Sequence, residues 1–488
     1  MNAAQSSRNA GVLLHPTSLP GSYRLGNLGH EAFHFIDFLN QCGFTYWQML
    51  PLEPTNEELS PYQSTSAFAG NDRLISPEIL ANQGLISHLP EQLNTELDIQ
   101  QMIVEVWEKL HCSEYAKWRA EFEAFREEQK TWLRDFALFS AIKEQQHQRP
   151  WNQWPKDLKN HDQHALQIVE KALDNAMKIK ELEQFLFFKQ WHSIKNYANE
   201  RNIKLIGDLA IFVSHDSADV WSNQSLFNLD DKGSPITVAG VPPDYFSETG
   251  QRWGNPHYRW DVMQENQFKW WNQRVAHMLK SFDLIRIDHF RGFNAYWEIP
   301  ASEETAINGR WVDAPGYALF ETLQQSHPNL PFIAEDLGII TEEVIKLRMH
   351  FQLPGMKILQ FAFNDGGTNP YLPHNHAHNS VVYTGTHDNN TTVGWFNESG
   401  DNLRSTVNEY LGHPEEPMPW PLIRAALASV SSLAVIPMQD LLCLDQHHRF
   451  NTPGTTTDNW KWRFQWDWVP ESLPEQLKKM LKVYGRLQ

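Results

Sequence analysis

Three segments in the second half of this chain run from apolar, β-forming residues straight into a carboxylate. They are LIRIDHFRGF with Asp288, FIAEDLGIIT with Glu335 and VVYTGTHDNN with Asp388. An ionised carboxylate at the end of a dry strand is costly unless a partner pairs with it or a reaction uses it. Arg286 precedes Asp288 by two residues, so on a strand the two side chains share a face and the cation favours the charged carboxylate. Glu335 has no basic neighbour in its strand and lies against Asp336 and an apolar run, surroundings that raise a carboxyl pKa. One carboxylate held charged beside one held protonated is the nucleophile and acid pair of a retaining glycosidase. Asp388 supplies a third acid able to grip sugar hydroxyls, and His387 beside it could donate to a hydroxyl or make a structural hydrogen bond. Asp208 and Asp440 also sit at predicted strand ends, where a helix cap or an ion pair is the competing reading.

Eight segments read as buried strands: 11–15, 45–50, 204–213, 284–290, 332–338, 356–363, 380–388 and 433–442. Helical patterns lie between most of them, at 29–42 (stopped by Gly43), 264–281, 316–326, 342–352 and 421–432. Eight strands alternating with helices predict an α/β fold, a closed (β/α)8 TIM barrel with its chemistry at the C-terminal strand ends. An open doubly wound sheet is the alternative, and no GxGxxG loop supports it. The whole chain, 1–488, is read as this one barrel carrying two insertions. Residues 85–200 predict a mostly helical inserted subdomain, and residues 214–262, rich in Gly, Pro and aromatics, a loop-rich lid.

Composition narrows the function classes. With 41 Lys and Arg against 59 Asp and Glu the net charge is −18, which argues against nucleic-acid and anionic membrane partners. Cys42, Cys112 and Cys443 are scattered and odd in number, so no disulfide framework is implied and a reducing, cytoplasmic setting fits. The first residues lack the apolar core of a secretory signal, and 422–438 reads as a helix then a strand rather than a membrane span. Twenty tryptophans are mostly core, although aromatic faces also suit the C–H face of a pyranose. HNHAH (374–378) has the look of a metal tract but no partnered acidic motif, and His447–His448 reads as loop. There is no GxSxG elbow.

At these residues the chain resembles the amylomaltases, the 4-α-glucanotransferases of glycoside hydrolase family 77. The matching text is GVLLHPTSLPG (11–21), SPYQSTSAFAGN (60–71), GDLAIFVSHDSADVW (207–221), VAGVPPDYFSETGQRWGNP (238–256), RIDHFRGF (286–293), NGRWVDAPG (308–316), AEDLG (334–338), YTGTHDN (383–389), VIPMQDLL (435–442) and RFNTPGTTTDNW (449–460). It spans nearly the whole chain and looks like the short form without an N-terminal extension. The resemblance implies Asp288 as nucleophile, Glu335 as acid/base and Asp388 as transition-state stabiliser. It implies that Tyr62, Asp208, Arg286 and His387 line the donor sugar, that Gln251, Trp253 and Phe246 lie over the cleavage point and acceptor side, and that Asn451 belongs to the site. Donor and acceptor would be maltooligosaccharides and α-1,4-glucans, without metal, nucleotide or redox cofactor, and the protein a monomer or homodimer. Two alternatives stand beside this reading: an α-amylase-like hydrolase with the same trio, and a non-catalytic maltodextrin-binding protein. The chain departs from the family pattern at Ala210 and Phe212, which predicts a packing change. It also departs at Glu57 and Glu58, where many members carry an aromatic and a glycine, so the family's aromatic glucan contact at that rim is not expected here.

Overall fold

A computed structural model describes residues 8–56, 58–90, 96–243, 247–455 and 457–488. Two expectations, those on Glu57 and Phe246, fall outside these residues. Eight parallel strands close a barrel: β1 (Asn9–Leu13), β2 (Tyr46–Gln48), β3 (Lys204–Leu209), β4 (Leu284–Ile287), β5 (Phe332–Ala334), β6 (Gly355–Ile358), β7 (Ser380–Tyr383) and β8 (Leu433–Pro437). Each coincides with one of the eight predicted segments, and each pairs with its neighbours in chain order, β8 closing on β1. The strands are shorter than their apolar runs, so Asp288 and Glu335 stand one residue beyond β4 and β5, and Asp388 five beyond β7.

Alternation along each strand sorts side chains between lumen and helical shell. Leu13, Ile206, Ile333, Met356, Ile358, Val381, Tyr383, Leu433 and Val435 fill the lumen. Val12, Trp47, Leu205, Ile285, Phe332, Val382 and Ala434 join the outer core beneath the helices. Arg286, Asp288, Asp208 and Glu335 share the parity of the lumen residues in their strands, which aims polar groups up the axis from an apolar floor. Tyr383 donates its hydroxyl to Gln48 Oε1 at 2.9 Å, a buried polar pair within the lumen. Gly11 allows β1 to approach β2, since a Cβ there would lie 2.7 Å from that of Tyr46.

The predicted helices form at His30–Cys42, Lys269–Ser281, Gly316–Ser326, Glu342–His350 and Trp420–Ala428. Gly43, at φ 84°, closes the first in the left-handed conformation that glycine adopts without strain. Between β2 and β3 run the helices Glu96–Leu110, Ala116–Glu128, Leu133–Gln145, Gln163–Ala172 and Asp174–Glu200. The last leads directly into β3, and its buried Trp191 donates to Ser281 O at 3.1 Å. Among the described residues no helix is long and apolar enough to cross a membrane.

The segment expected to be loop-rich, 214–262, contributes two strands, Thr237–Val241 and Gln251–Pro256, to an antiparallel sheet completed by Ala295–Pro300 and Arg310–Asp313. Phe212 rests in this region against His257, Tyr258 and Tyr296. At the opposite end of the barrel Arg486 is completely buried. Its guanidinium donates to the carbonyls of Leu427 (2.7 Å), Asn9 (2.7 Å), Ser429 (2.8 Å) and Ser431 (3.0 Å). It thereby satisfies the open carbonyl end of helix Trp420–Ala428 and binds it to the start of β1.

Candidate active site

Asp208, Arg286 and Asp288 form an ion-paired ladder that rises from the buried lumen to its mouth. Register sets Asp208 opposite Arg286. Arg286 Nη1 donates to both oxygens of Asp208 at 2.8 and 2.7 Å, and its Nη2 lies 3.0 Å from Asp288 Oδ1. Burial alone would lower the Arg286 pKa, but the Asp208 and Asp288 carboxylates outweigh it and hold the guanidinium firmly charged. Asp208 is 0% and Arg286 only 4% exposed. Both therefore stand behind the surface as supports, whereas the Asp288 carboxylate is 30% exposed to the cleft.

Glu335 is placed by β5 beside β4. Its N–H donates to Ile287 O at 3.0 Å, and its Oε2 accepts from His289 N at 2.7 Å. Its pKa is pushed up to about 8. Burial is the largest cause, opposed by Arg286 and reinforced by the negative charge of Asp288. The sequence-based contrast between a paired Asp288 and a proton-retaining Glu335 thus has a geometric basis. A stability consequence follows with a definite sign. A carboxyl whose folded pKa lies above its unfolded value binds more protons folded than unfolded, so stability falls as pH rises from about 4.5 to about 8. Glu335→Gln is therefore expected to have a higher thermal midpoint than wild type, by more at pH 8 than at pH 5. An equal difference at both pH values would contradict the raised pKa.

Asp388 approaches from the turn after β7 and is held from several sides. Asn451 Nδ2 donates to its Oδ1 at 2.6 Å, Arg449 Nη2 donates to its carbonyl at 3.0 Å, and His387 Nε2 lies 3.3 Å from its Oδ2. Tyr62 donates its hydroxyl to Asp208 Oδ2 at 2.7 Å, so its oxygen is left to accept from His387 Nε2 at 3.0 Å. Tyr62 and His387 stack with ring centroids 5.4 Å apart, and Trp460 lies 6.1 Å from each. This gives one wall of the cleft an aromatic surface edged by the exposed Asp388.

The accessory sheet supplies the opposite wall. Trp253 meets the His289 ring edge-on at 5.0 Å, and its indole N–H donates to Gln251 Oε1 at 3.1 Å. His289 occupies the left-handed region (φ 51°) between Asp288 and the turn Phe290–Phe293. Arg291 in that turn donates to Ile339 O, joining the loops beyond β4 and β5, and stacks its guanidinium 3.6 Å from the Trp311 ring. The sheet is thus fastened to the catalytic rim at two points.

The structure brings together Tyr62, Asp208, Arg286, Asp288, Glu335, His387, Asp388 and Asn451, with Trp253 and Gln251 across the cleft. Asp440, also marked as a strand-end acid, is instead a buried clamp. It accepts from Thr384 Oγ1 (2.5 Å), Thr392 Oγ1 (2.6 Å) and Thr392 N (2.8 Å). Sequence reasoning gave no role to Trp460, His289 or Arg449, although all three lie inside quoted motifs. In the HNHAH tract His374 meets Tyr410 Oη and Gly367 O, and His376 meets Ser429 Oγ and Tyr371 O, so both rings serve the local fold. Glu58 is exposed on the loop before Tyr62.

Comparison with known proteins gives a consistent picture. The family model for 4-alpha-glucanotransferases of the glycoside hydrolase 77 type matches residues 14–468. A 4-alpha-glucanotransferase of Thermus thermophilus is 48% identical over 473 residues, covering 93% of this chain and 94% of that protein. The chloroplastic/amyloplastic enzyme of Solanum tuberosum is 43% identical over 98% of this chain and 87% of its own length. The structure of an amylomaltase from Streptococcus agalactiae in complex with acarbose superposes with a TM-score of 0.95 at 37% identity, covering 99% of this chain and 100% of that one. With the family model spanning nearly the whole length and the barrel and site geometry in agreement, this chain belongs to the 4-α-glucanotransferase family.

Proposed function

We propose that this protein transfers α-1,4-glucan segments between maltooligosaccharides by a retaining double displacement. The observation that carries the reading is the pair of opposed environments at one rim: Asp288 ion-paired with Arg286, and Glu335 holding its proton up to about pH 8. Asp288 Oδ attacks the anomeric carbon while Glu335 gives its proton to the departing glycosidic oxygen, forming a glycosyl-enzyme ester. Glu335, now ionised, takes the proton from the 4-hydroxyl of an incoming glucan. That oxygen displaces Asp288 and restores an α-1,4 bond. Asp388, held by Asn451 and the His387–Tyr62 pair, is suited to accept hydrogen bonds from sugar hydroxyls that tighten as the ring flattens in the transition state. Asp208 and Arg286 act from behind, keeping Tyr62 and Asp288 oriented.

Transfer rather than hydrolysis requires water to be kept from the ester. Trp253, seated against His289 next to the nucleophile, favours this: the 238–256 segment would act as an aromatic cover that offers the acceptor a stacking face. Incubation with maltotriose tests the reading. Expected products are glucose and a ladder of longer maltodextrins without a net gain in reducing ends. The alkaline limb of kcat/KM should fall near pH 8, where Glu335 loses its proton. Reducing ends that rise in step with maltotriose loss would establish a hydrolase instead, and no turnover at all a binding protein.

A further inference from the structure

The residue after Glu335 presents a problem that its neighbours solve in an unusual way. On β5, Phe332 and Ala334 point outward into the apolar shell, and alternation sends Asp336 to that same side. It is 9% exposed. A carboxylate at an otherwise apolar position carries a desolvation cost that an alanine or valine would avoid. Three residues from two neighbouring elements accommodate it. Arg348, on helix Glu342–His350, brings Nε to 3.0 Å from Oδ2. Met356, on β6, donates its N–H to Oδ1 at 2.8 Å. Gly355 leaves the space, since a Cβ there would sit 2.4 Å from the Asp336 carboxylate. Strands β5 and β6 share the register pair Gly355–Ala334, and the bond from Met356 N–H to the Asp336 carboxylate is a further tie between the end of β5 and β6.

We propose that Asp336 is a positioning residue for Glu335: it fixes the strand end from which Glu335 projects and sets a buried negative charge immediately behind it. The proposal rests on Glu335 being the acid/base. The charged groups facing Glu335 are Arg286, Asp288 and Asp336. Tyr371, which also faces it, stays uncharged because burial pushes its hydroxyl up to about 12. His289 contributes its N–H, while burial brings its imidazole down to about 4 and leaves the ring neutral. Burial raises the Asp336 pKa, and Arg348, the Met356 N–H and Lys357 oppose that rise and favour its charged form. Arg286 pulls the proton from Glu335, and Asp336 opposes that pull from the other side. A fixed anion behind an acid retains its proton, so the pair of adjacent carboxylates acts as donor and backstop.

The test is the pH dependence of kcat/KM for Asp336→Asn, Lys357→Met and Glu335→Gln, each with maltotriose and with α-maltosyl fluoride. Fluoride departs with little need of a proton, so the fluoride donor bypasses the acid step. For Asp336→Asn the alkaline limb with maltotriose should move to lower pH. Its rate loss should be clearly smaller with the fluoride donor. Lys357→Met, which removes a cation beside Asp336, should move the limb the other way by a smaller amount. An unmoved limb in Asp336→Asn, or equal losses with both donors, would reduce Asp336 to a structural tie and overturn the proposal. Should Asp336→Asn fail to fold, an unmoved or lowered limb in Lys357→Met overturns it equally. The underlying reading fails separately, if Glu335→Gln keeps the wild-type rate and limb with maltotriose.

Discussion

Asp288→Asn is expected to lower the rate of transfer from maltotriose by about 10⁴-fold or more, near 5.5 kcal/mol of barrier. The amide oxygen is far less nucleophilic than the carboxylate and cannot form the ester on which transfer depends. The fold should survive. Asp288 lies beyond β4 and is partly exposed, and the substitution keeps its shape while removing one of the two carboxylates that Arg286 serves. Arg286 retains both bonds to Asp208. Calorimetric titration should therefore still detect maltooligosaccharide binding by Asp288→Asn, with turnover absent. Transfer within tenfold of wild type would exclude Asp288 as the nucleophile, whatever became of the other carboxylates.

Arg286→Met should produce the largest loss of stability among the site substitutions, and the loss should depend on pH. Asp208 has no exposure, and burial already raises its pKa, with Arg286 the main opposing influence. Removing the guanidinium leaves a buried carboxylate that keeps the Tyr62 hydroxyl bond and the influence of His387 but has lost its main counter-charge. Breaking such a pair from one side costs about 3–5 kcal/mol. The sign is fixed by protonation: the Asp208 folded pKa rises still further above its unfolded value, so stability is retained at low pH and lost as pH climbs. Thermal midpoints of wild type and Arg286→Met should diverge from pH 5 to pH 8. An equal deficit at both values would indicate lost packing rather than an uncompensated charge.

These expectations depend on features that differed in how openly the sequence displayed them. The barrel strands are buried on both faces, so each reads as a continuous apolar run, and all eight were legible. The acids at their ends stood out because charge interrupts such a run. The accessory sheet left no comparable trace. Strand Gln251–Pro256 is polar and holds a glycine and a proline, and Thr237–Val241 pairs with Ala295–Pro300 nearly sixty residues away. Local pattern carries no information about such a pairing, and the segment read as loop. His289, Arg449 and Trp460 were silent for a related reason. They lie in turns without periodicity, and only the tertiary meeting with Trp253, Asp388 and Tyr62 gives them roles. Arg286 was predicted to line the sugar site beside Asp288, and the structure sets it one layer deeper, clamped between two acids.

The seam at the base of the barrel has a consequence for how the molecule is made. Asn9 pairs with Leu433, and Arg486, two residues from the C-terminal end, bonds the carbonyl of Asn9. At roughly 5–20 residues per second, the ribosome needs on the order of 20–85 s to cover that gap of 424 residues. Until β8 emerges β1 has only β2 to pair with, and its other edge stays open. The nascent chain is thus a growing open sheet with an exposed leading edge, the kind of surface chaperones shield.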